Sequence, residues 1–183
     1  MWQDSASFIT SFEQDQPMTI SMYSVSIPVW QHMLKGLSAI LAKAAAHAEA
    51  RKIDPTVLLQ TRLFPDMLPL VKQVQIVTDQ AKGGASRLAG VDIPKYEDTE
   101  TTLDQLQARI AKTVAYLETI TPAQVDGSET KHITMQFGPT KYEFTGQDYL
   151  LKFVNPNFFF HMSVTYSLLR NNGVELGKKD FLG

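Results

Sequence analysis

Four segments of the chain place apolar residues three and four positions apart, and this spacing constrains the fold more than any other sequence feature. Because an α-helix turns once every 3.6 residues, such spacing lines up one apolar face. The first three faces run from Ile27 to Ala48, from Met67 to Leu88 and from Leu103 to Ile120. Each face must be buried against another element, so the pattern predicts a mainly α-helical, four-helix bundle.

The second apolar face contains residues that weaken a helix. Proline is tolerated in the first turn, so Pro65 and Pro69 predict a helix that starts near 64–67 or kinks at Pro69. Gly83 and Gly84 each lower helix propensity by about 1 kcal/mol. Because Leu88 keeps the phase of the apolar face, we expect the helix to continue through both glycines and to let a neighbouring helix approach closely.

The apolar period changes from 3.6 to 2 between the third and fourth helices. Apolar and polar residues alternate over 131–137 and 141–145 on either side of Gly138-Pro139, which predicts a β-hairpin. The fourth helix begins near Gly146, and Asn155-Pro156 predicts a kink or a restart within it.

Composition restricts the function. The net charge is −2, the basic residues are scattered, and there is no cysteine. We therefore expect no nucleic acid and no membrane as partners, and we exclude disulfides, Cys-ligated zinc and a Cys nucleophile. The N-terminus has neither the basic start nor the apolar core of a signal peptide, which favours a cytoplasmic protein. We expect an N-terminal arm at 1–17 and a single domain at 18–183, with Met18 as an alternative start.

His161 is the principal candidate for chemistry, because the common phosphate-loop, nucleophile-elbow and His-Glu-x-x-His motifs are absent. Helical spacing turns His161 toward the interior, with Thr165 one turn later on nearly the same face. Two interpretations remain open. His161 is either a core histidine hydrogen-bonded to a carbonyl or hydroxyl, or a metal ligand or acid–base group.

Asp66 opens the second predicted helix, on the flank that also holds Gln73. It is either a carboxylate stabilised by the helix dipole or a metal or substrate ligand that faces a pocket between helices. Arg62 pairs with Asp66, with an anionic ligand or within a surface ion pair. Among the other histidines, His32 and His132 are expected at the surface, and His47 at an interface or helix cap.

Three segments carry a family resemblance: Arg62-Leu63-Phe64-Pro65-Asp66-Met67, Asn157-Phe158-Phe159-Phe160-His161, and the tail from Leu176 to Gly183. From about Met22 onward, the chain resembles the domain-of-unknown-function family DUF1993, a branch of the DinB/YfiT-like superfamily. The resemblance implies an up-down four-helix bundle with the β-hairpin between helices 3 and 4, and often a homodimer.

The resemblance also implies a site, because many DinB-like proteins bind a divalent metal through three histidines and some are metal-dependent thiol transferases. Asp66 stands at the position of the first histidine, His161 matches one of the other two, and Thr165 stands at the position of the third. This sequence therefore departs from the pattern at two of three positions, and tight zinc sites usually have three or four protein ligands.

The function expected from these observations is that of a dimeric small-ligand-binding or interaction protein with a degraded metal site. Its ligand would lie between helices 2 and 4. The alternative is a thiol-transferase-like enzyme that uses a weakly bound zinc or nickel ion held by Asp66 and His161. The residues expected to line the site are Arg62, Asp66, Gln73, His161 and Thr165.

Overall fold

Helices make up most of the part of the chain that a computed structural model describes, residues 20–183. The arm predicted at 1–17 and Met18 lie outside these residues. The elements are α1 (Ile27–Arg51), α2 (Pro55–Gln60), α3 (Leu70–Ala89), α4 (Leu103–Glu118), α5 (Pro122–Val125), β1 (His132–Phe137), β2 (Thr140–Thr145), α6 (Gly146–Asp148), a π-helical turn (Tyr149–Val154), α7 (Asn155–Asn171) and α8 (Lys178–Leu182). No helix among these residues is long and apolar enough to cross a membrane.

The first apolar face is buried as the sequence predicts. Proline stands in the first turn of α1, and Lys52 ends the helix in the left-handed conformation, with φ of 54°. Seven predicted face residues are buried: Ile27, Trp30, Leu34, Leu37, Leu41, Ala44 and Ala48. Removing these side chains from water is the main driving force for placing α1 in the core.

The second long helix starts later than the sequence predicts. Pro69 has extended backbone, with ψ of 164°, and α3 begins at the next residue. The prediction of a start near 64–67 is therefore wrong, because the ring of Pro69 disfavours helical conformation at the preceding residue and Pro69 itself is extended. Asp66 consequently lies in the preceding loop and not in the first turn of the helix.

The prediction that α3 continues through Gly83 and Gly84 is confirmed, and α3 ends at Ala89. A Cβ atom on Gly84 would lie 2.8 Å from Cγ1 of Val154 and 2.9 Å from Cη2 of Trp30. The backbone of α3 thus touches α1 and the π-helical turn at a point where no side chain fits. The same helix runs antiparallel to α7, because Gly84 lies beside Val154 while Gln73 bonds to His161.

Helices α3 and α4 run in the same direction. Arg109 of α4 bonds to Thr78 of α3 at 2.7 Å, and Tyr116 bonds to Ser86 at 2.7 Å, so both helices advance together. Strict up-down alternation, which the family resemblance implies, would make these two helices antiparallel. The difference arises from residues 90–102, a crossover segment without helix or strand that carries the chain back before α4 begins.

A buried arginine ties this crossover segment to both helices. The guanidinium of Arg109 is within 2.9–3.0 Å of carboxylate oxygens of Asp79, Asp98 and Glu100. Burial acts to raise the pKa of Glu100, but hydrogen bonds from Gln75 and Arg109 outweigh it and leave that pKa below its ordinary value. A lowered carboxylate pKa stabilises the fold at neutral pH, and this contribution is lost as the pH falls through the acidic range.

The predicted hairpin is present, with β1 and β2 antiparallel and Phe137 paired with Thr140. Gly138 starts the two-residue turn with φ of 56°, a conformation that glycine adopts without strain. Ile133 and Met135 are buried on the face toward the helices, whereas His132 is exposed on the other face, as predicted.

The predicted break at Asn155-Pro156 coincides with a change in helix type. Residues Tyr149–Val154 form the π-helical turn, and α7 begins at Asn155. Pro156 has no N–H group, so the regular bonding pattern cannot run through it unchanged. The indole N–H of Trp30 donates to Oδ1 of Asn155 at 2.9 Å and fixes this junction against α1.

The two adjacent glycines of α3 allow a matched test of the close contact at Gly84. Alanine favours a helix by up to about 1 kcal/mol over glycine, so both substitutions gain in propensity. At Gly83 a Cβ would meet only the flexible guanidinium of Arg87, and we expect Gly83→Ala to be neutral or stabilising. At Gly84 the neighbours are fully buried, and we expect Gly84→Ala to lower the free energy of unfolding by about 1–3 kcal/mol.

Urea denaturation followed by circular dichroism measures both values. Equal effects of the two substitutions, or a more stable Gly84→Ala protein, would contradict the close contact.

Candidate functional site

The side chains of Gln73 and His161 meet between α3 and α7. Oε1 of Gln73 is 2.6 Å from Nδ1 of His161, and Gln73 is almost completely buried while His161 is half-buried. Gln73 lies in the first turn of α3, where Leu70 and Val74 face the core. The two residues are thus brought together by the antiparallel packing of α3 and α7.

The partners of Gln73 determine which nitrogen of His161 carries the proton. Nε2 of Gln73 donates to the carbonyl oxygen of Leu68 at 2.9 Å, so Oε1 must face the imidazole. An amide oxygen only accepts hydrogen bonds, and therefore Nδ1 of His161 donates. In the neutral ring Nε2 is then an unprotonated acceptor, and residues 20–183 provide no hydrogen-bond partner for it.

Burial favours the neutral form of this ring. The pKa of His161 lies below its ordinary value because the surrounding protein removes water from the charged imidazolium. The lowered pKa makes the free energy of unfolding depend on pH. The unfolded chain binds the proton more tightly, so the contribution is complete above the ordinary histidine pKa of about 6.5 and decreases as the pH falls below it.

Thr165 has a structural contact within α7. Its hydroxyl donates to the carbonyl oxygen of His161 at 2.8 Å, and the residue is completely buried. The structure therefore places Thr165 one turn from His161, as predicted, but uses the hydroxyl within the helix.

The loop before α3 holds Arg62 and Asp66. Arg62 donates to the carbonyl oxygen of Met67, and its side chain makes no ion pair with Asp66 among the described residues. Asp66 is exposed, and its carboxylate makes no hydrogen bond to His161 there. Of the five predicted site residues, the structure thus joins Gln73, His161 and Thr165 by hydrogen bonds and leaves the two charged residues outside that chain of bonds.

The donor set does not fit the divalent metal that the family resemblance implies. Residues 20–183 contain no group of three or more His, Asp or Glu side chains positioned to hold a metal ion. The hydroxyl that stands in for the third histidine, Thr165, is buried and already donates to a backbone carbonyl. One imidazole and an exposed carboxylate are fewer ligands than a stable zinc site uses.

An exposed aromatic ring packs against His161. The ring of Phe160 packs edge-to-face on His161 with 5.1 Å between centroids, and 56% of Phe160 is exposed. Leu68, whose carbonyl orients Gln73, is also exposed, as are Leu63 and Phe64 in the same loop. We call His161, Phe160, which packs against its ring, and Leu68, which is linked to it through Gln73, the His161 surface.

Sequence reasoning missed a second polar cluster, in which Tyr96 of the crossover segment is covered by cations. Nζ of Lys82 lies 3.9 Å and Nζ of Lys112 lies 4.2 Å from the centroid of the Tyr96 ring. The sequence signal for this cluster is Arg109, whose guanidinium also lies over the Tyr96 ring. Arg109 is in phase with Leu106 and Thr113 on the apolar face of α4. A cation at a buried position predicts carboxylate partners elsewhere in the chain.

Comparisons with known proteins place these features in a wider context. A family model described as "Domain of unknown function (DUF1993)" matches residues 22–182. A crystal structure of a DinB family member protein from Shewanella denitrificans is 40% identical to this chain. That alignment covers 88% of this chain and 91% of the other, with a TM-score of 0.80. No curated protein matches the chain.

The hydrogen bond to Gln73 predicts the titration of His161. In Gln73→Glu a carboxylate replaces the neutral acceptor, and an adjacent negative charge favours imidazolium, so we expect the pKa of His161 to rise by about one unit or more. In Gln73→Met, of similar length but without an acceptor, we expect no such rise. Proton NMR of the imidazole signals across pH 4–9 measures both (a range of about two and a half units either side of the ordinary value). An identical titration of His161 in the Gln73→Glu protein would contradict the bond.

Proposed function

Since the chain belongs to the DUF1993 family and has a close DinB-family relative, we propose that it is a binding protein whose His161 surface takes a small ligand without metal catalysis. The observation that carries this proposal is the bond from Nδ1 of His161 to Oε1 of Gln73. It leaves Nε2 as an acceptor at the edge of an apolar surface.

The orientation of His161 defines the chemistry of the ligand. Bare Nε2 accepts a hydrogen bond, so the complementary group is a hydroxyl, an amine or an amide N–H. The exposed ring of Phe160 favours an aromatic or aliphatic group next to that donor. A ligand that offers only acceptors would leave Nε2 desolvated and unpaired, which opposes binding.

The number of ligands around His161, and not the orientation of its ring, argues against the alternative of a metal-dependent enzyme. Histidines that bind metals also donate their second nitrogen to an acceptor such as Gln73. The remaining donors among residues 20–183 do not complete the ligand set, because Thr165 is used within α7. We therefore assign no catalytic step to the site.

We further infer that α1, α3, α4 and α7 form a four-helix bundle of up-down-down-up order. The parallel pair α3–α4 and the antiparallel pair α3–α7 support this inference. For α1, the contacts of Trp30 with Asn155 and of His47 with Gly173 support a direction parallel to α7.

A pair of probes that differ in one hydrogen-bond donor tests the proposed ligand chemistry. Phenol carries an aromatic ring and a hydroxyl donor, whereas anisole carries the same ring without the donor. We expect phenol to shift the NMR signals of His161 and Phe160 at about millimolar concentration, as fits a fragment of this size. We expect anisole to bind at least about threefold more weakly, because Nε2 then stays unpaired.

Substitution of the histidine provides the control. In His161→Phe the apolar surface is kept and the acceptor is lost, so the preference for phenol should disappear. Equal binding of phenol and anisole to the unmodified chain would contradict the proposal. A thermal shift with zinc or nickel that is lost in His161→Phe would overturn it in favour of the metal enzyme.

Assembly as a homodimer is part of this proposal. The exposed aromatic side chains at the hairpin tip, Phe137 and Tyr142, support it because a second copy commonly covers such groups. We expect sedimentation equilibrium at micromolar concentration to give twice the chain mass of 20.5 kDa. A single species of 20.5 kDa under those conditions would contradict the dimer.

A further inference from the structure

A cleft opens between the C-terminal half of α1 and the turn after α7. Its volume is about 520 Å³. One wall is formed by Lys43, His47 and Arg51 of α1, and the facing wall by Gly173, Val174 and Glu175. None of these residues belongs to the His161 surface.

The α1 wall presents three nitrogen-bearing side chains in one line. Lys43, His47 and Arg51 are four residues apart, so they lie on one face of the helix at intervals of roughly 6 Å. Lys43 pairs with Asp180 of α8 at 2.6 Å, whereas Arg51 has no ion pair among the described residues. The guanidinium of Arg51 is therefore available to an anion, which it can bind through two parallel hydrogen bonds.

The facing wall holds the imidazole of His47 in place. Cε1 of His47 is 3.6 Å from the position that a Cβ on Gly173 would take, and Gly173 has φ of 87°. The backbone conformation favours glycine there, and the ring of His47 lies at ordinary contact distance from it. The central donor of the line is packed against a turn, which reduces the entropy lost when it bonds to a ligand.

We propose that this cleft binds a small anion with two charged groups, of the diphosphate kind. Two linked phosphates are favoured over one because His47 and Arg51 are one helical turn, or roughly 6 Å, apart along α1, so neighbouring phosphate groups can reach both. Lys43 is held by Asp180. Among the described residues that line the cleft, Glu175 is the one carboxylate, and its negative charge repels an anion. Removing the charge of Glu175 should therefore strengthen binding of an anion, whereas removing the charge of Arg51 should weaken it.

Isothermal titration of the full chain with inorganic pyrophosphate at low salt measures binding. We expect a single site, and we expect Arg51→Gln to weaken it about tenfold because a charge-assisted pair of hydrogen bonds is lost. We expect Glu175→Gln to strengthen it severalfold because the opposing charge is removed. The matched control is Lys35→Gln, which removes a cation from an exposed position of the same helix outside the cleft and should change affinity less than about twofold.

Two comparisons identify the ligand chemistry and complete the test. Inorganic phosphate should bind more weakly than pyrophosphate, and succinate shows whether paired carboxylates serve as well as paired phosphates. Pyrophosphate should shift the NMR signals of His47 and Gly173 before those of other residues. The proposal is overturned by the absence of binding at millimolar pyrophosphate, by an equal loss in Lys35→Gln and Arg51→Gln, or by an unchanged affinity in Glu175→Gln.

Discussion

The arrangement of the helices depends on the ion pairs made by the guanidinium of Arg109. This guanidinium lies between α3 and the crossover segment at 90–102, with carboxylates of Asp79, Asp98 and Glu100 around it. A buried charge of this kind is costly unless every donor is paired, so the crossover segment must return to α4 along one path. That path makes α3 and α4 parallel and leaves the opposite side of α3 free for α7.

With α3 fixed in this way, two contacts determine where α7 lies. Near its C-terminal end α3 presents Gly84, which lets Trp30 and Val154 approach its backbone. Near its N-terminal end it presents Gln73, whose amide holds the ring of His161. Apolar packing at one end and a directional hydrogen bond at the other fix the register between the two helices. The orientation of the imidazole is therefore a consequence of how the core packs.

The sequence predicts the parts of this structure that depend on local periodicity. The apolar face from Ile27 to Ala48, the hairpin around Gly138 and the change of helix at Pro156 all follow from residues close together in the chain. The parallel direction of α4 does not, because it depends on carboxylates up to 30 residues from Arg109. Likewise, the pairing of Gln73 with His161 joins residues 88 positions apart, which spacing within one helix cannot reveal.

The same long-range pairing changes what the site can do. A histidine in a metal site and the histidine seen here are held alike, with Nδ1–H donated to an oxygen and Nε2 left open. What decides between a metal and an organic donor is the number of further ligands around Nε2. Here the third position is a threonine that bonds within its own helix, and the first is an exposed aspartate. The exposed ring of Phe160 packs against the imidazole, so the partner that we propose is an apolar molecule with one hydrogen-bond donor.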